Sequence, residues 1–124
     1  MARIRTIKPS FWSDEKVSLL TREERLLYIG LISMADDEGR FPASPTAIAG
    51  YAFPFDELPN NRVRKWRDKL AEVALIEIYE AGGLEYGVIP KFRKHQRINR
   101  PSPSQLPEVP LFHDGSMSRD GRKS

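Results

Sequence analysis

The apolar pattern changes period once along the chain, and that change limits the fold more than any other feature. Up to Ala74 apolar residues recur at helical spacing, and from Ile76 to Val88 they alternate on either side of Gly82-Gly83. Alternation about a glycine pair reads as a β-hairpin, because glycine reaches the positive φ values of a tight turn without strain. A two-stranded hairpin is marginal alone in water, so its apolar face must cover the open side of a helical core. A chain of 124 residues has room for one such domain and a tail.

The first clear helix begins at Thr21, which with Glu24 has the spacing of a capping box. The run from Leu26 to Ile32 is apolar almost all round, as in a helix buried on several sides or shared with a partner chain. Asp36-Asp37-Glu38-Gly39 ends it, with Gly39 expected as the left-handed cap and the three carboxylates as a solvated turn. Phe11 and Trp12 are expected to fold an amino-terminal arm back onto the domain. Arg40-Phe41 reads as a very short strand. Ser44 then caps a second helix with Pro45 at its first position, and Phe53-Pro54-Phe55 stops it after Ala52. Asn60 or Asn61 is expected to cap a third helix reaching Val73, with Val63, Trp66, Leu70, Val73 and Ala74 as its buried stripe. The domain is expected to span 1–100. Pro101, Pro103, Pro107 and Pro110 make 101–124 read as a flexible Pro/Ser-rich tail. The fold class is mostly α with a small hairpin (α+β), in the element order of a winged helix-turn-helix.

Net charge is only +3, but its distribution is uneven. The third helix carries Arg62, Arg64, Lys65, Arg67 and Lys69. A second block, Lys91, Arg93, Lys94, Arg97 and Arg100, has no acid among its neighbours from 91 to 100. Compact basic blocks of this kind suggest a polyanion. The outward face of the third helix holds Asn61, Arg64, Lys65, Asp68 and Glu72, flanked by Arg62, Arg67 and Lys69. Arg64 suits a guanine edge and Asn61 an adenine edge. The 91–100 cations suit phosphates, Gln96 and Asn99 suit sugars or bases, and Phe92 and Ile98 read as anchors to the core. Arg3, Arg5 and Lys8 form a weaker group that suits a minor groove. The alternative for the third helix is a solvated surface with local pairs such as Lys65 with Asp68.

Other classes are disfavoured. There is no cysteine, which removes disulfides and thiolate metal sites. No run approaches the ~18 apolar residues of a membrane span, and Met1-Ala2-Arg3-Ile4-Arg5 has no apolar core for a secretory signal. The histidines, His95 and His113, lack metal-ligand spacing, and no glycine loop is built for phosphate. No catalytic residue, metal or cofactor is expected. The expected partner is double-stranded DNA. Leu26, Ile29 and Ile32 lie off the face centred on Leu27, Gly30, Leu31 and Met34, which suggests a homodimer or another docking protein.

The stretches Ile4 to Trp12, Leu26 to Phe41 (LLYIGLISMADDEGRF), Phe53-Pro54-Phe55-Asp56 and KFRKHQRINRPSPSQLP together resemble winged-helix proteins of bacteriophages. They are similar to the amino-terminal domains of phage replication initiators and DnaD-like replisome organisers. The resemblance spans about 4–107, and His95 to Pro101 is its most specific part. It implies double-stranded DNA binding through the third helix and the hairpin, in replication initiation or transcription regulation, in the cytoplasm of a bacterial host. Relatives often carry glycine where this chain has Ala74. The competing expectation is a protein–protein module that self-associates or docks a replication protein.

Overall fold

The structure, a computed structural model, describes residues 4–110. The described residues are α+β, with four α-helices and a small antiparallel sheet. Helices α1 (Arg22–Met34), α2 (Pro45–Ala52) and α3 (Asn60–Glu72) pack on one another, and α4 (Phe92–His95) is a single turn. Strands β2 (Glu77–Ala81) and β3 (Leu84–Val88) form the expected hairpin. β1 (Arg40–Pro42) pairs with the far edge of β3, so the sheet is three-stranded in the order β1-β3-β2. Among the described residues, no helix is long and apolar enough to cross a membrane.

Local signals set most of these boundaries. The Thr21 hydroxyl accepts from the Glu24 N–H, and the Glu24 carboxylate accepts from the Thr21 N–H, which satisfies two open donors of α1. Ser44 caps α2 through the Ala47 N–H, and Pro45 opens the helix. Helix α3 departs from expectation, because Pro59 stands at its cap position without a side-chain bond. Asn60 instead reaches across to the Thr46 hydroxyl at 3.2 Å. Gly39 does not cap α1 either. That helix ends at Met34, and Gly39, at φ +85°, closes the following turn beneath Phe92.

The core is built from Leu27, Leu31, Phe41, Ile48, Val63, Leu70 and Ile76, all fully buried. Phe41 of β1 lays its ring where a Cβ on Gly87 of β3 would stand, so only glycine lets the ring cross the sheet there. Trp66 lies half-exposed against Phe53, with ring centroids 5.6 Å apart, rather than at the centre of the stripe. Ile32 is buried and belongs to the core, which removes it from the expected association face.

Ala74 is not in the stripe. It is exposed and takes φ +65°, the conformation glycine would supply at the close of α3. The turn is thus kept here with a strained alanine. A Cβ in the left-handed region costs roughly 1–2 kcal/mol, partly offset by the chain entropy that glycine adds to the unfolded state. Ala74→Gly should therefore stabilise the domain by about 1 kcal/mol, measured as a raised midpoint in urea with an unchanged slope.

The acidic turn after α1 is not solvated. One oxygen of Asp36 accepts from the Glu38 and Arg40 N–H groups, and the other accepts from the Ser104 hydroxyl at 2.5 Å. Asp37 is buried, receives the Arg5 guanidinium at 3.0 Å, and accepts from the Ser102 N–H at 2.9 Å. Glu38 pairs with Arg93 at 2.7 Å. The turn thus gathers the amino-terminal arm, α4 and the proline-rich segment.

That segment does not come loose at residue 101. Besides Ser102 and Ser104, the Arg40 guanidinium donates to the Leu106 carbonyl and the Tyr79 hydroxyl to the Pro107 carbonyl, at 3.2 and 2.7 Å. Burial pushes the Tyr79 phenol above its ordinary value. The expectation of a tail from 101 fails over 102–107 because these donors and acceptors come from distant parts of the chain. The remainder, 111–124, lies outside the described residues, as does Arg3.

Candidate nucleic-acid interface

Helix α3 has an inner row of Val63, Arg67 and Leu70. The opposite face exposes Asn61, Arg62, Arg64 and Lys65 in its first two turns, then Asp68 and Glu72. Lys69 is partly covered. The bases of α3 therefore present at its amino end, with the carboxylates beyond them. Arg64 lies 3.6 Å from Glu85 of β3, and both side chains are partly exposed. An exposed pair of this kind is worth at most about 1 kcal/mol, so Arg64 can leave Glu85 at little cost.

Arg67 differs from its neighbours. Its side chain is 4% exposed, and it donates to the Ala43 carbonyl at 2.7 Å, to Glu85 at 3.0 Å and to Asp68 at 3.0 Å. It ties α3 to the segment before α2 and to β3, and so fixes which face of α3 meets solvent. The expectation that Arg67 flanks the outward face is corrected here. Its spacing from Val63 and Leu70 put it on the apolar row, and an arginine in such a row signals a buried, fully bonded guanidinium. Asp68, expected to pair with Lys65, takes Arg67 instead.

The second block is only partly free. Lys91, Arg93, Lys94, Arg97 and Arg100 are exposed, whereas Phe92 is buried beneath them and Ile98 packs on the core. Arg93 is engaged by Glu38 at 2.7 Å, again as a half-exposed pair. Gln96 is buried and holds the arm by accepting from the Thr6 N–H and donating to the Thr6 carbonyl, each at 2.9 Å. It is not available to a sugar or base, contrary to expectation.

The third basic group divides. Arg5 donates to the Ala35 carbonyl at 2.8 Å and to Asp37, and lies 5.0 Å over the Phe92 ring. Its side chain is 5% exposed, so it is a structural cation rather than an arm for a groove. Lys8 is exposed and lines, with Lys16, Lys91 and His95, a cleft between the arm and the carboxyl end of α3. Lys91 and His95 therefore sit at the opposite end of α3 from Arg62, Arg64 and Lys65. Along the helix from those bases to Glu72 the separation is roughly 10–15 Å.

The hairpin carries no base between 74 and 90, only Glu77, Glu80 and Glu85. Glu80 and Glu85 lie directly opposite each other in the β2–β3 register. Among the described residues no cluster of histidines and carboxylates could hold a metal ion. No family model matches the chain, and no curated protein and no solved structure matches it.

Proposed function

We propose that the chain is a non-enzymatic double-stranded-DNA-binding winged helix of a bacteriophage, acting in replication initiation or gene regulation, with α3 as its recognition helix. The observation that carries this reading is the set of exposed residues Asn61, Arg62, Arg64 and Lys65 in the first two turns of a helix whose roll is fixed from beneath by Arg67. In a docked recognition helix those turns lie nearest the base edges. The element order and the β1-β3-β2 strand order agree with a winged helix. In this reading Lys91, Lys94 and Arg97 meet phosphates, Arg93 and Arg100 join them on leaving their partners within the protein, and Lys69 lies at the margin. The hairpin, acidic and without bases, stays off the backbone, unlike the wing contact that the family resemblance implies.

Titration of a labelled duplex at several salt concentrations tests the reading. With about five phosphates neutralised, log affinity should fall with log salt at a slope of roughly −4 to −5. Weak binding with a shallow slope would reject it in favour of a protein–protein module. That second reading has its own support in the partly exposed Leu26 of α1 and Tyr51 of α2, which are placed to meet a second copy or a replication protein.

A further inference from the structure

We propose that the chain self-associates by seating Phe55, Asp56 and Glu57 of one copy in the lysine-rimmed apolar cleft of a second copy. The inference does not rest on DNA binding, and of the residues placed on DNA above it shares only Lys91. It also uses a different surface from Leu26 and Tyr51.

The connection between α2 and α3 presents Phe55 to solvent, and that residue is 98% exposed. The Asp56 N–H donates to the Phe53 carbonyl at 3.2 Å, Pro54 follows Phe53 in the same turn, and the Phe53 ring is buried against Trp66. A turn closed at its base and stiffened by proline holds Phe55 outward with little freedom left to lose. A rigid aromatic ring of this kind is the anchor that contact surfaces use. Asp56 and Glu57 beside it are exposed and pair with no cation among the described residues.

The cleft between the amino-terminal arm and the carboxyl end of α3 has the matching character. Its volume is about 510 Å³, which holds a phenyl ring and part of the turn that carries it. Ile7, Phe11, Tyr28, Ile32 and Leu75 supply its apolar lining, with the Phe11 and Tyr28 rings stacked at 5.8 Å. Lys8, Lys16, Lys91 and His95 are exposed along it. Asp14 and Glu15 line it too, and the three lysines exceed them in charge even with His95 neutral. Asp14 is turned onto the Lys16 and Val17 N–H groups at 2.8 and 3.2 Å. An apolar ring between two carboxylates therefore meets an apolar lining beneath a cationic rim.

The position of the two features makes the occupant a second copy. The α2–α3 connection runs into Pro59 at the start of α3, whereas Ala74 and Leu75 of the cleft follow its end. The 13 residues of α3 span roughly 20 Å, so a chain cannot place its own Phe55 in its own cleft. A second copy can, and each copy offers both complements.

Sedimentation of the full chain and its charge-swapped variants tests the proposal. One turn in one cleft is a small interface, so the parent should self-associate with a dissociation constant on the order of 100 µM. Phe55→Ser should weaken association at least ~10-fold through loss of the anchor. Asp56→Lys with Glu57→Lys should do the same, and so should Lys8→Glu with Lys16→Glu, because each sets like charges together. An equimolar mixture of the two charge-swapped chains should associate as the parent does. All five positions are exposed, so melting should match the parent. If Lys8→Glu with Lys16→Glu loosens the arm, Phe55→Ser still decides. A parent that stays monomeric at about 1 mM overturns the proposal. Association that survives Phe55→Ser overturns it too, as do two folded charge-swapped chains that stay apart when mixed. No DNA enters the measurement, so its failure is distinct from failure of the recognition helix.

Discussion

Asp37→Ala should cost about 3–5 kcal/mol, the usual penalty for leaving one partner of a buried ion pair alone. The Arg5 and Asp37 side chains are 5% and 6% exposed, so water cannot replace the lost carboxylate without opening the arm. The guanidinium has little in reserve, because its Nε is already buried without a hydrogen-bond partner. The Ser102 N–H loses its acceptor in the same step. Asp37→Asn keeps the shape and one acceptor but removes the charge, and should fall between the parent and Asp37→Ala. Replacing Arg5 and Asp37 together by leucines should cost less than the sum of the single changes, since no charge is then stranded. Urea unfolding of the parent, Asp37→Ala, Asp37→Asn, the two single leucine variants and the double leucine variant reads these differences. An Asp37→Ala protein within about 1 kcal/mol of the parent would mean that Arg5 does not rest there in solution.

Elements that depend on neighbours a few residues away were legible in the sequence. Thr21 with Glu24, Ser44 with Pro45, and Gly82-Gly83 between alternating runs each contain their own cause, and α1, α2 and the hairpin lie where those signals put them. The acidic turn was not legible, because Asp36, Asp37 and Glu38 have the same composition whether water or protein surrounds them. Its partners are remote: Arg5 lies 32 residues from Asp37, and Ser102 lies 65 from it. Gln96 and Thr6 are 90 apart. The same distance problem hid the docked segment, since prolines show what 101–110 cannot form but not what receives it. At the candidate interface the outward row of α3 followed from helical periodicity. The same periodicity separates Arg67 from Arg64, yet residue type groups Arg67 with the exposed bases. What separates them is that Arg67 falls in line with Val63 and Leu70, and residue type alone concealed it.

Arg64→Ala should lower affinity for the preferred duplex by about 1–3 kcal/mol, and relax the preference at one base pair. The loss should be selective, because a bidentate contact to a base edge is absent on unrelated sequences. Removing two of Lys91, Lys94 and Arg97 should act differently, weakening every duplex alike and making the salt slope shallower by roughly two units. Two carboxylates should show the opposite sign. Glu38→Gln releases Arg93 from its 2.7 Å pair, so it should strengthen binding to all duplexes and steepen the salt dependence. Glu85→Gln releases Arg64 but also weakens the seat of Arg67, so any gain in affinity should come with a lower melting temperature. Arg67→Ala should lose binding through the fold, as α3 is no longer held to Ala43 and Glu85. Its melting curve distinguishes that from a lost contact. The decisive comparison is Arg64→Ala against Glu38→Gln on a preferred and an unrelated duplex. If Arg64→Ala matches the parent on both while Glu38→Gln still tightens both, the 91–100 block holds DNA and α3 is not the element that reads it.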